Sequence, residues 1–333
     1  MEFGLIPNWS WPTTGSPLEQ MERTVEQART AVESGYDAIW FGQHYISEGN
    51  NQFQPLPLLS RVAGFTGETD LGTSIFLLPL HNPIAVAENV ATADALFEGD
   101  LKFGVALGYK PAEFDAFGID IEDRTGRFVE GITLLRRLWT EDDVTFSGQY
   151  FDVENVTIDP KPNDGNGVSW WLGGNGEKST ERAGRMGNGW IISARTTYHE
   201  AVRLASIYRE AAEMSPYPDE GIAMNREVYV AETTDEAIET VMPMMHDRAA
   251  QWLDRGAQDT AEQIDDLDEQ VHDLLEERIV GSPEECIDRI ARFNEGAGVE
   301  HLIAMYNWRR LSQAKTVASI ERFADEVIPY FRE

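Results

Sequence analysis

Ser169-Trp170-Trp171-Leu172-Gly173-Gly174-Asn175-Gly176-Glu177-Lys178-Ser179-Thr180-Glu181-Arg182 is the stretch on which the reading of this chain turns. Ser169–Leu172 is rich in aromatic and apolar residues and predicts a strand. Glycines follow at once, and a polar segment suited to a helix starts at Glu177. A strand running through a glycine turn into a helix is one βα unit. Glycines let the backbone approach a ligand closely, and the N–H groups of a first helical turn point outward with the positive end of the helix dipole. That combination suits an anion such as a phosphate, although a glycine-rich helix start also serves as a plain tight turn. No Gly-Lys-Ser/Thr completes a Walker loop, and the glycines lack the setting of a dinucleotide fingerprint.

Seven further strand-like runs flank this unit: Phe3–Ile6, Ala38–Phe41, Gly72–Leu77, Lys102–Val105, Gly189–Ile192, Met224–Val230 and His301–Met305. Helical spacing fills the intervals. Leu18, Met21, Val25, Ala28 and Val32 share one face, as do Phe128, Ile132, Leu135 and Trp139. Gly35 closes the first of these helices, and Ser282-Pro283-Glu284-Glu285 reads as a helix start. Eight strands alternating with helices predict an α/β fold, a (β/α)8 TIM barrel with insertions. The insertions are a hairpin (Val144–Phe146 with Tyr150–Val153), a Pro/Gly/Asn-rich loop at Asp159–Val168 and an acidic segment at about 256–278. In that acidic segment Ile264, Leu267, Val271 and Leu274 keep helical spacing, as an added packed helix, a lid or an oligomer contact would. No linker interrupts the chain, so residues 1–333 read as one domain.

The composition, 42% apolar and 26% charged, excludes disordered and fibrous classes. No apolar run approaches a membrane span, and the first ten residues lack the basic start of a signal peptide. A single cysteine, Cys286, fits a reducing cytoplasm. The 58 Asp and Glu outnumber 27 Lys and Arg, a net charge of −31, and five basic residues are Lys. Such a surface repels nucleic acid and suits a halophile's concentrated salt.

In a barrel of this kind the ligand site lies at the carboxyl ends of the strands. His44 follows the second strand and can exchange a proton near neutral pH; His81 after the third strand is a weaker candidate. The remaining histidines have no partners at zinc-ligand spacing, so no metal site is assigned, although spacing alone leaves open one built from distant strand ends. No Gly-x-Ser-x-Gly elbow is present. Trp9, Trp11, Phe41 and Trp190 fall near strand ends, where they either wall a planar cofactor or join the core.

The ordered set of motifs resembles the luciferase-like flavin-dependent monooxygenases, which include deazaflavin-dependent relatives. The matching stretches are Phe3–Leu5, Gly35–His44, Leu71–Thr73 with Leu78–Pro83, Gly99–Val105, Glu113–Gly118, Leu172–Gly174, Gly187–Trp190 and Val280–Glu285, spread over nearly the whole chain. The resemblance implies reduced FMN, or alternatively coenzyme F-420, bound at the barrel mouth. His44 matches the family's active-site histidine, Ser74-Ile75 the position of a non-prolyl cis peptide against the ring, and Gly174, Asn175, Gly176 and Ser179 the phosphate cradle. After the fourth strand the family often has an Arg that pairs with the phosphate. Here Val105–Lys110 puts Leu107 at that place, followed by Tyr109, with Lys110 offering only a point charge. Gln43 and Tyr45 replace an acidic residue and a second histidine common in the family.

The implied function is an FMN-dependent two-component monooxygenase that oxidises a small organic substrate with O2 and is served by a separate flavin reductase. The alternatives are a coenzyme F-420-dependent oxidoreductase performing hydride transfer and a non-catalytic flavin-binding protein. A homodimer is the default assembly for a soluble enzyme.

Overall fold

The computed structural model describes residues 1–254, 275–308 and 311–332. Eight parallel strands close into a barrel: β1 (Glu2–Ile6), β2 (Ala38–Phe41), β3 (Asp70–Thr73), β4 (Leu101–Val105), β5 (Ser169–Gly173), β6 (Gly189–Ile192), β7 (Gly221–Val230) and β8 (His301–Met305). Neighbours in sequence pair around the ring, and β8 returns to β1 through Glu2↔His301 to Ile6↔Met305. All eight strands expected from the sequence are present.

Large side chains fill the interior. Trp40 of β2 and Trp171 of β5 meet edge to face, with centroids 6.2 Å apart. Glycines on other strands make room for them. A Cβ on Gly72 would stand 2.4 Å from the Trp40 ring, and one on Gly189 2.4 Å from Trp171. β7 is long, and its second half pairs with Ile279–Gly281 (Val228↔Ile279) beyond the ring. A second apolar cluster collects there, including Tyr229, Val241, Val280 and Trp308.

Helices wrap the ring: α1 (Pro17–Glu33), α2 (Pro55–Thr66), α3 (Pro83–Asp94), α4 (Pro111–Phe117), α5 (Arg124–Thr140), α6 (Glu177–Met186), α7 (Tyr198–Ala212), α8 (Thr234–Asp254), α9 (Pro283–Ala297) and α10 (Gln313–Arg322). On α5, Phe128, Ile132, Leu135 and Trp139 are all buried, as their spacing predicts. Ser282 caps α9 by accepting from Glu285 N. The expected hairpin forms between Val144–Ser147 and Asp152–Val156.

Three expectations need correction. On α1, Leu18 is 68% exposed, whereas Gln20, Thr24 and Gln27 are buried. The helix turns its polar residues inward because the segment after β1, which pairs only through Ser10–Pro12 with Asn50–Gln52, has further backbone groups to satisfy. Gln20 Nε2 donates to Pro12 O (2.8 Å), and Gln27 Oε1 accepts from Asn8 N (2.8 Å). The third strand ends at Thr73 rather than Leu77, since the chain leaves the ladder at Ser74 and coils into a short 3-10 turn at Leu78–Leu80. Phe76 alone returns to the ladder, bridged to Val105, and Leu77–Leu80 are apolar because they are buried, not because they are extended. The loop at Asp159–Val168 contains a 3-10 turn, Pro162–Gly165. The acidic stripe Ile264, Leu267, Val271 and Leu274 lies outside the described residues.

Candidate active site

Parallel strands deliver every post-strand segment to one rim. His44 stands there in the loop after β2, with its side chain 31% exposed. Glu113, in the first turn of α4, reaches it from across β3: His44 Nδ1 lies 3.2 Å from Glu113 Oε1, which also accepts from Tyr45 N at 2.8 Å. The Glu113 side chain is 2% exposed. Burial alone would raise its pKa, but the His44 ring, the Tyr45 N–H and the Lys110 ammonium at 4.0 Å together hold it below the usual carboxylate range. An ionised carboxylate only accepts, so His44 carries its proton on Nδ1 and leaves Nε2 as the exchangeable position. Glu113 Oε2 is buried with no hydrogen-bond partner among the described residues.

The rest of the loop after β2 is braced by amides. Gln54 Nε2 donates to His44 O (3.0 Å), and Gln43 Oε1 accepts from Leu77 N (2.8 Å). Gln43, Tyr45, Gln54, Phe76 and His81 border a cavity of about 210 Å³ beside this loop. His81 stacks on Phe76 (centroids 4.3 Å apart), and burial lowers its pKa to about 4. It is a neutral packing residue, and Asn82 beside it caps α3.

After β3, the Ser74–Ile75 peptide is cis. Ser74 Oγ contacts the Asn225 amide of β7 at 3.0 Å, and Ile75 O accepts from Gln43 N at 3.1 Å. The Ile75 side chain fills the space above Gly173, where a Cβ would lie 2.3 Å from Ile75 Cδ1. Ile75 thus joins the His44 loop to the glycine turn.

In that turn a Cβ on Gly174 would sit 2.6 Å from Ser179 Cβ and Oγ. Ser179 Oγ is bound within the turn, accepting from Gly176 N (3.1 Å) and donating to Gly176 O (2.8 Å). Its hydroxyl shapes the cradle, and α6 turns its N-terminus outward with Asn175 and Gly176 exposed. Trp190 Nε1 supports the turn from beneath, donating to Gly174 O at 2.9 Å. An exposed glycine turn at a helix N-terminus, closely packed on Ser179, fits the phosphate end of a flavin or deazaflavin.

After β4, Leu107 packs against the core, and Tyr109 is 55% exposed with its ring edge-on to His44, centroids 6.1 Å apart. Trp9, Trp11, Phe41 and Trp190 are all buried. Glu113, Asn225 and Arg195 escaped the sequence reading as site residues. Two signals pointed at Glu113 without giving it a role: it opens the family-matching stretch Glu113–Gly118, and it is an acidic residue in a Pro-started turn just beyond a strand end, Lys110-Pro111-Ala112-Glu113. Among the described residues no group of three or more His, Cys, Asp or Glu could hold a metal, and no helix is long and apolar enough to cross a membrane.

Comparison with known proteins bears on the fold and the family. The sequence model of the luciferase-like monooxygenases matches residues 1–301. The alkanal monooxygenase alpha chain of Photorhabdus luminescens is 23% identical, covering 100% of this chain and 98% of that one. An uncharacterized Sinorhizobium fredii protein is 27% identical over 179 residues, 54% of this chain and 51% of its own length. Among solved structures, the oxygenating constituent of 3,6-diketocamphane monooxygenase from Pseudomonas putida, in complex with FMN, superposes with a TM-score of 0.83 at 20% identity, covering 99% of this chain and 98% of that one. The coenzyme F-420-dependent tetrahydromethanopterin reductase of Methanopyrus kandleri gives 0.78 at 20% identity, covering 99% of each. By fold and by sequence, the chain belongs to the luciferase-like monooxygenase family.

Proposed function

We propose that the chain is an FMN-dependent two-component monooxygenase, taking reduced FMN from a separate reductase and oxidising a small organic substrate with O2. The observation that carries this reading is the shared rim: an imidazole anchored by a buried carboxylate, joined through Ile75 to a glycine turn at a helix N-terminus that suits a phosphate. The solved relative in complex with FMN supports the choice of cofactor. When bound, reduced flavin supplies the electrons that activate O2. The protein's part is to position and to exclude water. Gly174, Asn175, Gly176 and Ser179 hold the phosphate end, while Ser74, Ile75 and Tyr109 border the ring and keep the site dry. His44 Nε2 holds or passes a proton, with its other nitrogen fixed by Glu113.

A second reading, hydride transfer with coenzyme F-420, draws on Leu107, which stands where an FMN-binding arginine is common in the family, and on the Methanopyrus reductase fold. Titrating the purified protein in KCl with FMN, reduced FMN and coenzyme F-420, followed by oxygen-electrode assays, separates the two. Stoichiometric O2 uptake with substrate supports the first reading, and turnover without O2 supports the second. His44→Ala should keep cofactor affinity within about tenfold, roughly 1.4 kcal/mol, and abolish product. Unchanged turnover in that variant removes His44 from the mechanism.

A further inference from the structure

The cofactor phosphate would enter a molecule whose net charge is −31, and after β4 the residue at the place where the resemblance expects an arginine is Leu107, which packs against the core. A cation stands elsewhere on the rim. Arg195 belongs to the turn after β6, and its Nη2 lies 3.5 Å from Tyr109 Oη, with the guanidinium carbon 5.4 Å from the Tyr109 ring centroid. Tyr109 belongs to the loop after β4. Between β4 and β6 in the barrel runs β5, paired with both (Val105↔Leu172 and Ile191↔Gly173) and ending in the glycine turn. An arginine from one side touching a tyrosine from the other therefore spans the end of β5.

The turn that carries Arg195 is held from below. Arg226 of β7 is completely buried. Its Nη1 donates to Ser193 O (3.0 Å) and Asn225 O (2.9 Å), and its Nη2 donates to Thr196 O (2.6 Å). Thr196 N closes the same turn onto Ser193 O at 3.1 Å. One rigid guanidinium thus grips both ends of the four-residue turn from two nitrogens fixed in one plane, whereas an ammonium would have to reach both from a single atom. Burying a cation is costly, and here three backbone carbonyls help to offset that cost.

We infer that Arg195, held in place by Arg226, supplies the charge on the cofactor phosphate that Leu107 does not. Arg195 is the binding residue and Arg226 a positioning residue. The inference rests on the flavin or deazaflavin reading above, and it moves the phosphate's cationic partner from the loop after β4 to the turn after β6. An arginine fork offers two parallel donors to a phosphate, so the assignment predicts selectivity for the phosphate itself and not for the ring.

The test compares ligands that differ only at that end. The full-length protein is titrated by fluorescence with FMN against riboflavin, and with coenzyme F-420 against its phosphate-free deazaflavin nucleoside. In Arg195→Gln the phosphate-bearing member should bind about 10- to 100-fold more weakly, while the phosphate-free member changes less than about twofold. Arg195→Lys should fall between wild type and Arg195→Gln. Arg226→Lys should show the same phosphate-selective loss although it lies beneath the turn, and retained selectivity there overturns the positioning role. Equal weakening of both members in Arg195→Gln, or of neither, overturns the assignment, as does unchanged binding with only a raised KM for substrate. Wild-type protein that binds none of the four ligands defeats the cofactor reading itself, and this inference with it. Wild-type preference for phosphate that survives Arg195→Gln defeats the inference alone.

Discussion

His44 and Glu113 are 69 residues apart in sequence and 3.2 Å apart at the rim. An imidazole that exchanges a proton at one nitrogen works best with the other nitrogen fixed, and a carboxylate fixes it in one sense only. An amide does not, because it can present either its oxygen or its NH2 group to Nδ1. Glu113→Gln should therefore keep cofactor binding within about twofold and lower turnover about 10- to 100-fold. Its pH profile should change as well. Glu113 titrates below its ordinary 4.5 in the fold, so the pair is intact above pH 4.5 and is lost as pH falls through the lowered value. The acid loss that wild type shows there should be missing from the glutamine variant. Wild-type turnover with a wild-type acid limb would remove Glu113 from any role at His44. Strand-end logic alone found His44, because a residue following a parallel strand is delivered to the mouth whatever its neighbours are. It could not find Glu113 or Arg195, whose placement depends on which loops meet across intervening strands.

Elements were legible where one physical term dominated. The barrel strands are short apolar runs buried on both faces, and α5 is an apolar stripe on a core, so pattern alone specified them. Pattern failed on α1, where Gln20, Thr24 and Gln27 are buried to serve the backbone of Asn8–Thr14, and at Leu77–Leu80, where apolar character reflects burial in and beside a 3-10 turn. The floor of the barrel shows a further device that periodicity cannot reveal. Lys102 of β4 is nearly buried and pairs with Glu2 of β1 (2.8 Å) and Asp70 of β3 (2.9 Å), and His301 Nδ1 of β8 lies 2.9 Å from the same Glu2 oxygen. Four strands are tied at their amino ends by one charge cluster. The His301 contact and then Lys102 draw the Glu2 pKa down to about 2, against its burial. A lowered carboxylate contributes stability above its unfolded value of about 4.5 and loses it as pH falls through about 2. Glu2→Gln should thus be less stable than wild type at neutral pH. The deficit should be about 1 kcal/mol, since Glu2 is half exposed and solvent screens the pair. The two unfolding curves should converge below pH 2. A deficit that persists undiminished in that acid would show that the glutamine costs packing rather than charge.

At the scale of the whole molecule the governing quantity is the excess of 58 acidic over 27 basic residues. Local pairs do not cancel it. Arg185–Glu181, Arg203–Glu177 and Arg322–Glu326 all lie near the surface, where such contacts contribute little. What remains is repulsion among carboxylates spread over the barrel's exterior, and its range is set by the solvent. The screening length is about 10 Å in 0.1 M salt and about 3 Å in 1 M, so repulsion between neighbouring side chains that survives in the first largely vanishes in the second. The folded state concentrates this charge more than the unfolded chain does and gains most from screening. Thermal unfolding at neutral pH should therefore shift upward by roughly 5–15 °C between about 0.1 M and about 2 M KCl, at roughly 2–4 °C for each kcal/mol gained in a domain of about 150–250 residues and less in a larger one. Salt can also stabilise by strengthening apolar burial, and pH distinguishes the two causes. If charge is responsible, the KCl dependence must shrink as the carboxylates are neutralised in acid, whereas an effect on apolar burial is indifferent to their protonation. A Tm that is flat or falls with KCl at neutral pH would mean that the acidic surface serves some purpose other than life in concentrated salt.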